Sequence, residues 1–216
     1  MCAEDIAGMT YIENIFVLLA APLVACMLCV SGRSRVMVAS VLAGMTCCLL
    51  SAYVNAFFVQ LVGGDAVVGA VEVAPTVEEI MKLLPLLFYL LVFEPEIEEA
   101  NLAFVFVAVG FATMESAFYL ADNGVSYPGI LALRGLSTAM MHLACGVVMG
   151  FGLTRMWDHA WLRLAGGFAL LCLTMTFHGL YNLFVTVGGA ATIAAVAMPL
   201  VTLVAILAFR GRKRHV

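Results

Sequence analysis

The chain has 216 residues, of which 64% are hydrophobic and only 11% are charged. A soluble domain has about 45–50% apolar and about 25% charged residues, so this composition excludes a soluble globule and indicates a multi-pass protein of the cell membrane. The net charge of −4 is small, and the basic residues cluster only at the carboxy end, so nucleic acid is not an expected partner.

Long apolar segments recur along the whole chain, and a helix of about 18 or more such residues can cross a hydrocarbon core of about 30 Å. The third segment is the least regular, because it begins with charged residues and contains Pro85, which deprives a helix of one backbone hydrogen bond. No linker divides the chain, so residues 1–216 are predicted to form one all-α bundle embedded in the membrane. The predicted spans are Tyr11 to Val30, Val36 to Val62, Thr76 to Phe93, Asn101 to Ala121, Ile130 to Leu153, Leu162 to Val187 and Ala190 to Phe209.

The loops between these spans predict the orientation, since cytoplasmic loops retain Lys and Arg. With seven spans, all the loop and tail basic residues fall on one side of the membrane, so the amino terminus is predicted outside and the tail cytoplasmic. The tail would then lie against anionic lipid, with Trp157 and Trp161 at the same interface. The basic residues concerned are Arg33, Arg35, Arg155, Arg163, Arg210, Arg212, Lys213 and Arg214.

Several titratable residues lie within or at the ends of spans, where each charged group costs about 2.5–3.5 kcal/mol at mid-membrane. Such groups persist mainly where they face a bundle interior or a watery cavity. Positions four apart share one helical face, so spans three to six each carry a polar stripe. The stripes are Glu78 with Lys82, Phe111 with Glu115 and Tyr119, Arg134 with Thr138 and His142, and His178 with Asn182.

The depths of these stripes agree with one another. At a rise of 1.5 Å per residue, Glu115 lies about 9 Å and His178 about 13 Å short of the predicted outer ends of their spans. His142 lies about 18 Å along span five from Ile130, which enters from outside. Carboxylates and imidazoles are therefore predicted to share a cavity in the outer half of the membrane, where they could activate water or handle protons.

Four motifs in order along these spans resemble the PrsW-type intramembrane proteases, a family grouped with the CAAX-prenyl endopeptidases and the anterior-pharynx-defective subunit of gamma-secretase. One departure is Ser116, where that family usually has asparagine. The likeness covers about half the chain, and it implies proteolysis of a membrane-anchored, single-span protein such as an anti-sigma factor. The motifs are Glu78-Glu79-x-x-Lys82, Phe111-x-x-x-Glu115-Ser116-x-x-Tyr119, His142-x-x-x-Gly146 and His178-x-x-x-Asn182.

The resemblance suggests a division of roles for cleavage near the outer face. Glu78 or Glu79, with a histidine such as His142, would activate water, and Glu115 would orient or share the proton. His178 with Asn182 would hold the oxyanion. Lys82, Tyr119 and Arg134 would support the site.

Structural alternatives stay open for several of these residues. Pro75-Thr76-x-x-Glu79 has the pattern of a capping box with Thr76 as the N-cap, which shifts the catalytic role toward Glu78. Lys82 could pair with Glu78 four residues earlier, Arg134 could reach the lipid headgroups, and Asn182 could bridge helices. Gly146-x-x-x-Gly150 indicates a close helix contact.

The sequence also bears on other mechanisms and functions. The chain lacks His-Glu-x-x-His and Gly-x-Ser-x-Gly, and Asp65 and Asp122 both fall in loops, so the other intramembrane protease classes are not expected. No cofactor is expected; zinc is possible, and its ligands would be Glu115, His142 and His178. A proton-coupled transporter is disfavoured by the apolar inner halves of the spans, and a non-catalytic scaffold stays open.

Overall fold

The computed structural model describes residues 12–123 and 128–213. The predicted start of the first span at Tyr11, part of the predicted outer loop and the end of the basic tail lie outside these residues. Within the described chain, every regular element is helical, which confirms the all-α bundle.

Seven long helices follow one another with short connections. A three-residue turn, α3 (Ala66–Val68), and a π-helical segment (Gly69–Val73) precede the third long helix without a break. The long helices are α1 (Ile12–Cys29), α2 (Gly32–Val62), α4 (Ala74–Phe93), α5 (Ile97–Asn123), α6 (Pro128–Met156), α7 (Ala160–Val187) and α8 (Ala190–Lys213).

Six of these helices are long and apolar enough to cross a membrane. The exception among the long helices described is α4, which corresponds to the irregular third predicted span and carries three charged residues in its first half. A tight hairpin joins the last two helices: Gly188 and Gly189 connect α7 to α8 with positive φ angles of 72° and 58°. Glycine adopts such angles without the steric cost that other residues meet.

The start of the third helical region differs from the prediction. Asp65 is the N-cap, since its Oδ1 accepts hydrogen bonds from the backbone N–H groups of Val67 at 3.0 Å and Val68 at 2.9 Å. Thr76 lies inside the helix, where its hydroxyl donates to the carbonyl of Glu72 at 2.8 Å. The predicted capping box is therefore wrong, because the chain enters the helix well before Thr76, and Glu79 is free for another role.

Glycines let α5 pack closely against two neighbouring helices. A Cβ added at Gly110 would lie 2.0 Å from the carbonyl oxygen of Val41 in α2, and one at Gly44 would lie 2.0 Å from the carbonyl oxygen of Val107. Against α6, a Cβ at Gly150 would lie 2.9 Å from the Cβ of Phe104 in α5. The predicted close contact at Gly146-x-x-x-Gly150 is thus confirmed, and α5 packs closely against both α2 and α6.

Candidate active site

The titratable residues of four helices meet in the interior of the bundle. α4 begins the site with two buried carboxylates and a buried ammonium on one face, and the next three long helices each add one titratable side chain. His142 is fully buried, and His178 is 1% exposed. The residues brought together are Glu78, Glu79 and Lys82 of α4, Glu115 of α5, His142 of α6 and His178 of α7.

Lys82 forms its ion pair with Glu79. Its Nζ lies 2.6 Å from Glu79 Oε1, three residues earlier, and both side chains are almost fully buried. The alternative pairing of Lys82 with Glu78 is not the one observed, because positions three and four residues apart are both within reach on a helix and the tertiary partners decide between them. Glu79 thus compensates the buried positive charge.

His178 also contacts Glu79, and this contact indicates its tautomer. His178 Nδ1 lies 2.8 Å from Glu79 Oε1, the oxygen that also accepts from Lys82. An ionised carboxylate only accepts hydrogen bonds, so Nδ1 carries the proton and Nε2 of the neutral ring keeps its lone pair. A carboxylate that fixes a histidine in this way is a common support for a metal ligand or a base.

His142 has both ring nitrogens engaged. Its Nδ1 lies 2.9 Å from Lys82 Nζ, and an ammonium only donates, so Nδ1 accepts. Its Nε2 then carries the proton and donates to Glu115 Oε2 at 2.5 Å. A continuous hydrogen-bonded chain therefore runs from His178 through Glu79, Lys82 and His142 to Glu115.

Glu78 has one oxygen with a partner and one without. Its Oε1 accepts from Asn55 Nδ2 of α2 at 3.3 Å. Its Oε2 is buried, has no hydrogen bond from any described residue and lies 3.8 Å from His178 Nε2. Two acceptor atoms that face each other without a proton between them require a donor or a cation, such as a water molecule or a metal ion. These two open acceptor atoms define a gap, and together they could bind one small polar ligand.

Three residues around this gap could together bind a metal ion. Ligand atoms of Glu78, His142 and His178 all lie within 4.8 Å of one another. Zinc bonds of about 2.0–2.2 Å require the ligand atoms of one ion to lie within about twice that distance, so a small inward movement would suffice. His142 would have to give up one hydrogen bond. The predicted zinc set differs in one member, because Glu115 is not part of this group.

Glu115 lies at the boundary between the buried network and a cleft. Its side chain is 37% exposed, and it lines a cleft of about 350 Å³ together with Tyr119, Arg134 and Thr138. The guanidinium carbon of Arg134 lies 3.7 Å from the centroid of the Tyr119 ring. Arg134 and Tyr119 therefore stand beside Glu115 in the cleft, in a position to contact a bound chain.

Asn182 connects α7 to the segment that precedes α4. Its Nδ2 donates to the carbonyl of Ala70 in the π-helical segment at 2.8 Å. This contact is the helix-bridging alternative predicted from the sequence, and a role for Asn182 in holding an oxyanion beside His178 stays a prediction.

Sequence reasoning missed two supporting residues. Asn55 was detectable as an amide inside an apolar span. Tyr181, next to Asn182, has its hydroxyl 2.9 Å from Ser137 Oγ and 3.0 Å from Thr138 Oγ1 and so connects α7 to α6. Nothing in its local pattern distinguished it from an ordinary core tyrosine.

In this helical bundle, carboxylates and imidazoles meet around the gap, beside a cleft. The chain is therefore of the class of membrane proteins that have a polar centre in the interior of the bundle. The chain belongs to the PrsW family, since the model of the family described as "PrsW family intramembrane metalloprotease" matches residues 32–209. All four motifs lie within the match, so the resemblance seen in the sequence is confirmed. The chain is accordingly a multi-pass membrane protein.

A curated relative gives the same family. The chain is 27% identical over 108 residues to Protease PrsW of Oceanobacillus iheyensis, a match that covers 50% of this chain and 48% of that protein. The chain thus spans about half the length of the curated relative it matches. No solved structure matches the chain.

Proposed function

We propose that the chain is an intramembrane endopeptidase that cleaves membrane-anchored proteins near the outer face of the bilayer. The observation that supports this most directly is the pair of open acceptor atoms, Glu78 Oε2 and His178 Nε2, which face one buried gap 3.8 Å apart. A hydrolase needs a site that holds water near a base, and both atoms can accept a hydrogen bond from that water.

Glu115 is the residue best suited to exchange protons with the reacting groups. It lies in the cleft, where a substrate chain would enter, and His142 holds one of its oxygens. In this mechanism, Glu115 takes a proton from the attacking water as the carbon–oxygen bond forms. It then gives that proton to the amide nitrogen as the carbon–nitrogen bond breaks. Before any metal binds, Lys82 keeps His142 in the tautomer that donates to Glu115, and Glu79 keeps His178 in the tautomer with an open Nε2.

The sequence led us to expect metal-free hydrolysis, but the donor atoms of the site are better suited to hydrolysis with a divalent metal such as zinc. Glu78, His142 and His178 would hold it, which is the set of two histidines and one glutamate common in catalytic zinc sites. When bound, zinc supplies a Lewis acid for the scissile carbonyl and makes its water more acidic. His178 suits the role of ligand better than that of oxyanion donor, because its Nε2 bears no proton.

The proposed substrate class is a single-span regulatory protein, of which anti-sigma factors are one example. A cleft lined by Arg134, Tyr119 and Glu115 beside a buried polar gap suits an extended backbone that unwinds at the membrane surface. Unwinding is required, because a helix keeps its peptide bonds shielded from attack.

The test is cleavage by the purified protein in lipid nanodiscs of a library of single-span peptides, scored by mass spectrometry. Glu115→Gln and His178→Ala should each lower the cleavage rate at least about 100-fold, the usual contribution of a general acid–base group. Glu72→Gln, which alters an exposed carboxylate near the same end of α4, is the matched control and should cleave like the wild type. No cleavage of any peptide by the wild type would favour a scaffold, and full activity of the Glu115→Gln/His178→Ala double variant would refute the proposed chemistry.

Metal content separates the possible ligand sets. We expect near-stoichiometric metal in the wild type and its loss in Glu78→Gln and His178→Ala. Glu115→Gln should keep its metal while losing activity, whereas the set predicted from the sequence would lose both. Activity that survives prolonged chelation in protein free of metal would show that the hydrolysis needs none.

A further inference from the structure

Two adjoining cavities open at the opposite end of the bundle, which the basic loops predict to be cytoplasmic. One cavity, of about 440 Å³, is an apolar groove between α4 and α7 lined by residues such as Leu87, Leu164 and Phe168. The other, of about 470 Å³, is more polar and lies beneath the connections that follow α4 and α6. Leu91, Trp157 and Arg163 line both, so the two cavities form one continuous groove with an apolar and a polar half.

The apolar half faces outward from the bundle. Leu91 is 58%, Leu164 71% and Phe168 69% exposed, so these side chains meet lipid. A long apolar groove that opens to the hydrocarbon region and ends at a charged pocket has the shape of a site for an amphiphile.

Charges of both signs line the polar half. Arg163 stacks on Trp157, with its guanidinium carbon 4.9 Å from the ring centroid. No carboxylate oxygen of the described residues lies within 4.0 Å of this guanidinium, although Glu94 and Asp158 line the same pocket. Arg163 therefore has a free fork of donors for a phosphate, and the two carboxylates are free to accept from an ammonium.

We propose that this groove binds one glycerophospholipid with an amine-bearing, zwitterionic head group, a phosphatidylethanolamine of the cytoplasmic leaflet. One acyl chain lies in the groove between α4 and α7, the phosphate contacts Arg163, and the primary ammonium lies between Glu94 and Asp158. The site is separate from the Glu–His centre, and the proposal does not depend on proteolytic activity.

The mixed charges of the pocket favour this head group over the two obvious alternatives. An anionic phosphatidylglycerol would satisfy Arg163 but would add negative charge next to two carboxylates. A phosphatidylcholine has no N–H group to donate to those carboxylates, and the face of Trp157, which would attract a quaternary ammonium, already lies against Arg163.

The two tryptophans of the chain give a direct assay. Trp157 lines the proposed site, whereas Trp161 is 75% exposed and lies outside both cavities. In Trp161→Phe, fluorescence reports Trp157 alone, and in Trp157→Phe it reports Trp161. Each variant is placed in phosphatidylcholine nanodiscs that contain a small, equal fraction of acyl-brominated phosphatidylethanolamine, phosphatidylglycerol or phosphatidylcholine, because bromine quenches indole fluorescence on contact.

We expect the brominated phosphatidylethanolamine to quench Trp157 on the order of threefold more strongly than either other lipid does. A roughly threefold difference in affinity corresponds to the free energy of one exposed charge pair. Trp161 should show no preference. In the Trp161→Phe background, Arg163→Gln should abolish the preference for phosphatidylethanolamine. Glu94→Gln/Asp158→Asn should weaken this preference and increase the quenching by phosphatidylglycerol. Gel filtration and circular dichroism show whether each variant is folded.

The opposite results are equally clear. Equal quenching of Trp157 by all three lipids would mean that the groove contacts bulk lipid without selection, which overturns the proposal. Stronger quenching by phosphatidylglycerol would mean that Arg163 captures a phosphate without recognition of the amine, which also overturns it. A preference that persists in folded Arg163→Gln would remove the role assigned to the guanidinium.

Discussion

Replacing Lys82 with methionine should destabilise the protein severely, because it leaves a buried charge without its counterion. The Lys82 and Glu79 side chains are 7% and 5% exposed, and their charged atoms lie 2.6 Å apart. Once the ammonium is removed, the Glu79 carboxylate still accepts a hydrogen bond from His178 Nδ1 but has lost its ion pair. Removing one partner of a buried pair costs about 3–5 kcal/mol. We expect Lys82→Met to fall in that range, and Glu79→Gln to cost a similar amount through the ammonium left behind.

The double variant Lys82→Met/Glu79→Gln separates this effect from lost packing. It removes both charges, and the glutamine can still accept from His178, so it should cost less than either single change. The assay is reversible unfolding of the purified protein in mixed micelles by increasing SDS, followed by circular dichroism. Asp122→Asn, at an exposed carboxylate, is the control and should lie within about 0.5 kcal/mol of the wild type. Additive costs of the two single changes would refute a coupled, ionised pair.

Three further predictions concern packing, hydrogen bonding and topology. Gly110→Ala should destabilise the fold by about 1–3 kcal/mol or more in the same unfolding assay, because the new Cβ would lie 2.0 Å from the backbone of the facing helix. Gly135→Ala is the control and should be tolerated, because the nearest neighbour of its Cβ would lie at 4.0 Å. Asn182→Ala should cost about 0.5–1.5 kcal/mol through its lost interhelical hydrogen bond and should leave measurable cleavage, so complete loss of activity in a stable variant would return Asn182 to the chemistry. In a variant without other cysteines, Asp122→Cys should react with an impermeant thiol reagent in intact cells and Asp158→Cys should not; the reverse pattern would invert the predicted orientation.

The titratable residues that meet in the interior of the bundle could be predicted from the sequence. Glu115, His142 and His178 stood out because a titratable group inside an apolar helix is costly, and the helical period then assigned each one to a face. The seven long helices were equally readable, since an apolar run of that length in a membrane must satisfy its own backbone. Even the irregular third segment was recognisable by its charges and its proline.

Partners within the site were decided by the tertiary structure. Local spacing allowed Lys82 to pair with either Glu78 or Glu79. In the structure Lys82 pairs with Glu79, and His142 and His178 from two other helices contact this pair. Glu78 Oε2 has no hydrogen-bond partner among the described residues. Because the ionic partner of a residue on a helix face depends on what the neighbouring helices supply, no local rule could have identified it.

Contacts between distant segments were decided in the same way. Asn55 reaches Glu78, and Asn182 reaches the carbonyl of Ala70, from other helices. Gly44 and Gly110 permit α2 and α5 to approach closely, and that approach fixes how the two helices sit against each other. A sequence pattern gives the face and depth of each side chain, but the crossing of the helices sets which atoms come within hydrogen-bonding distance.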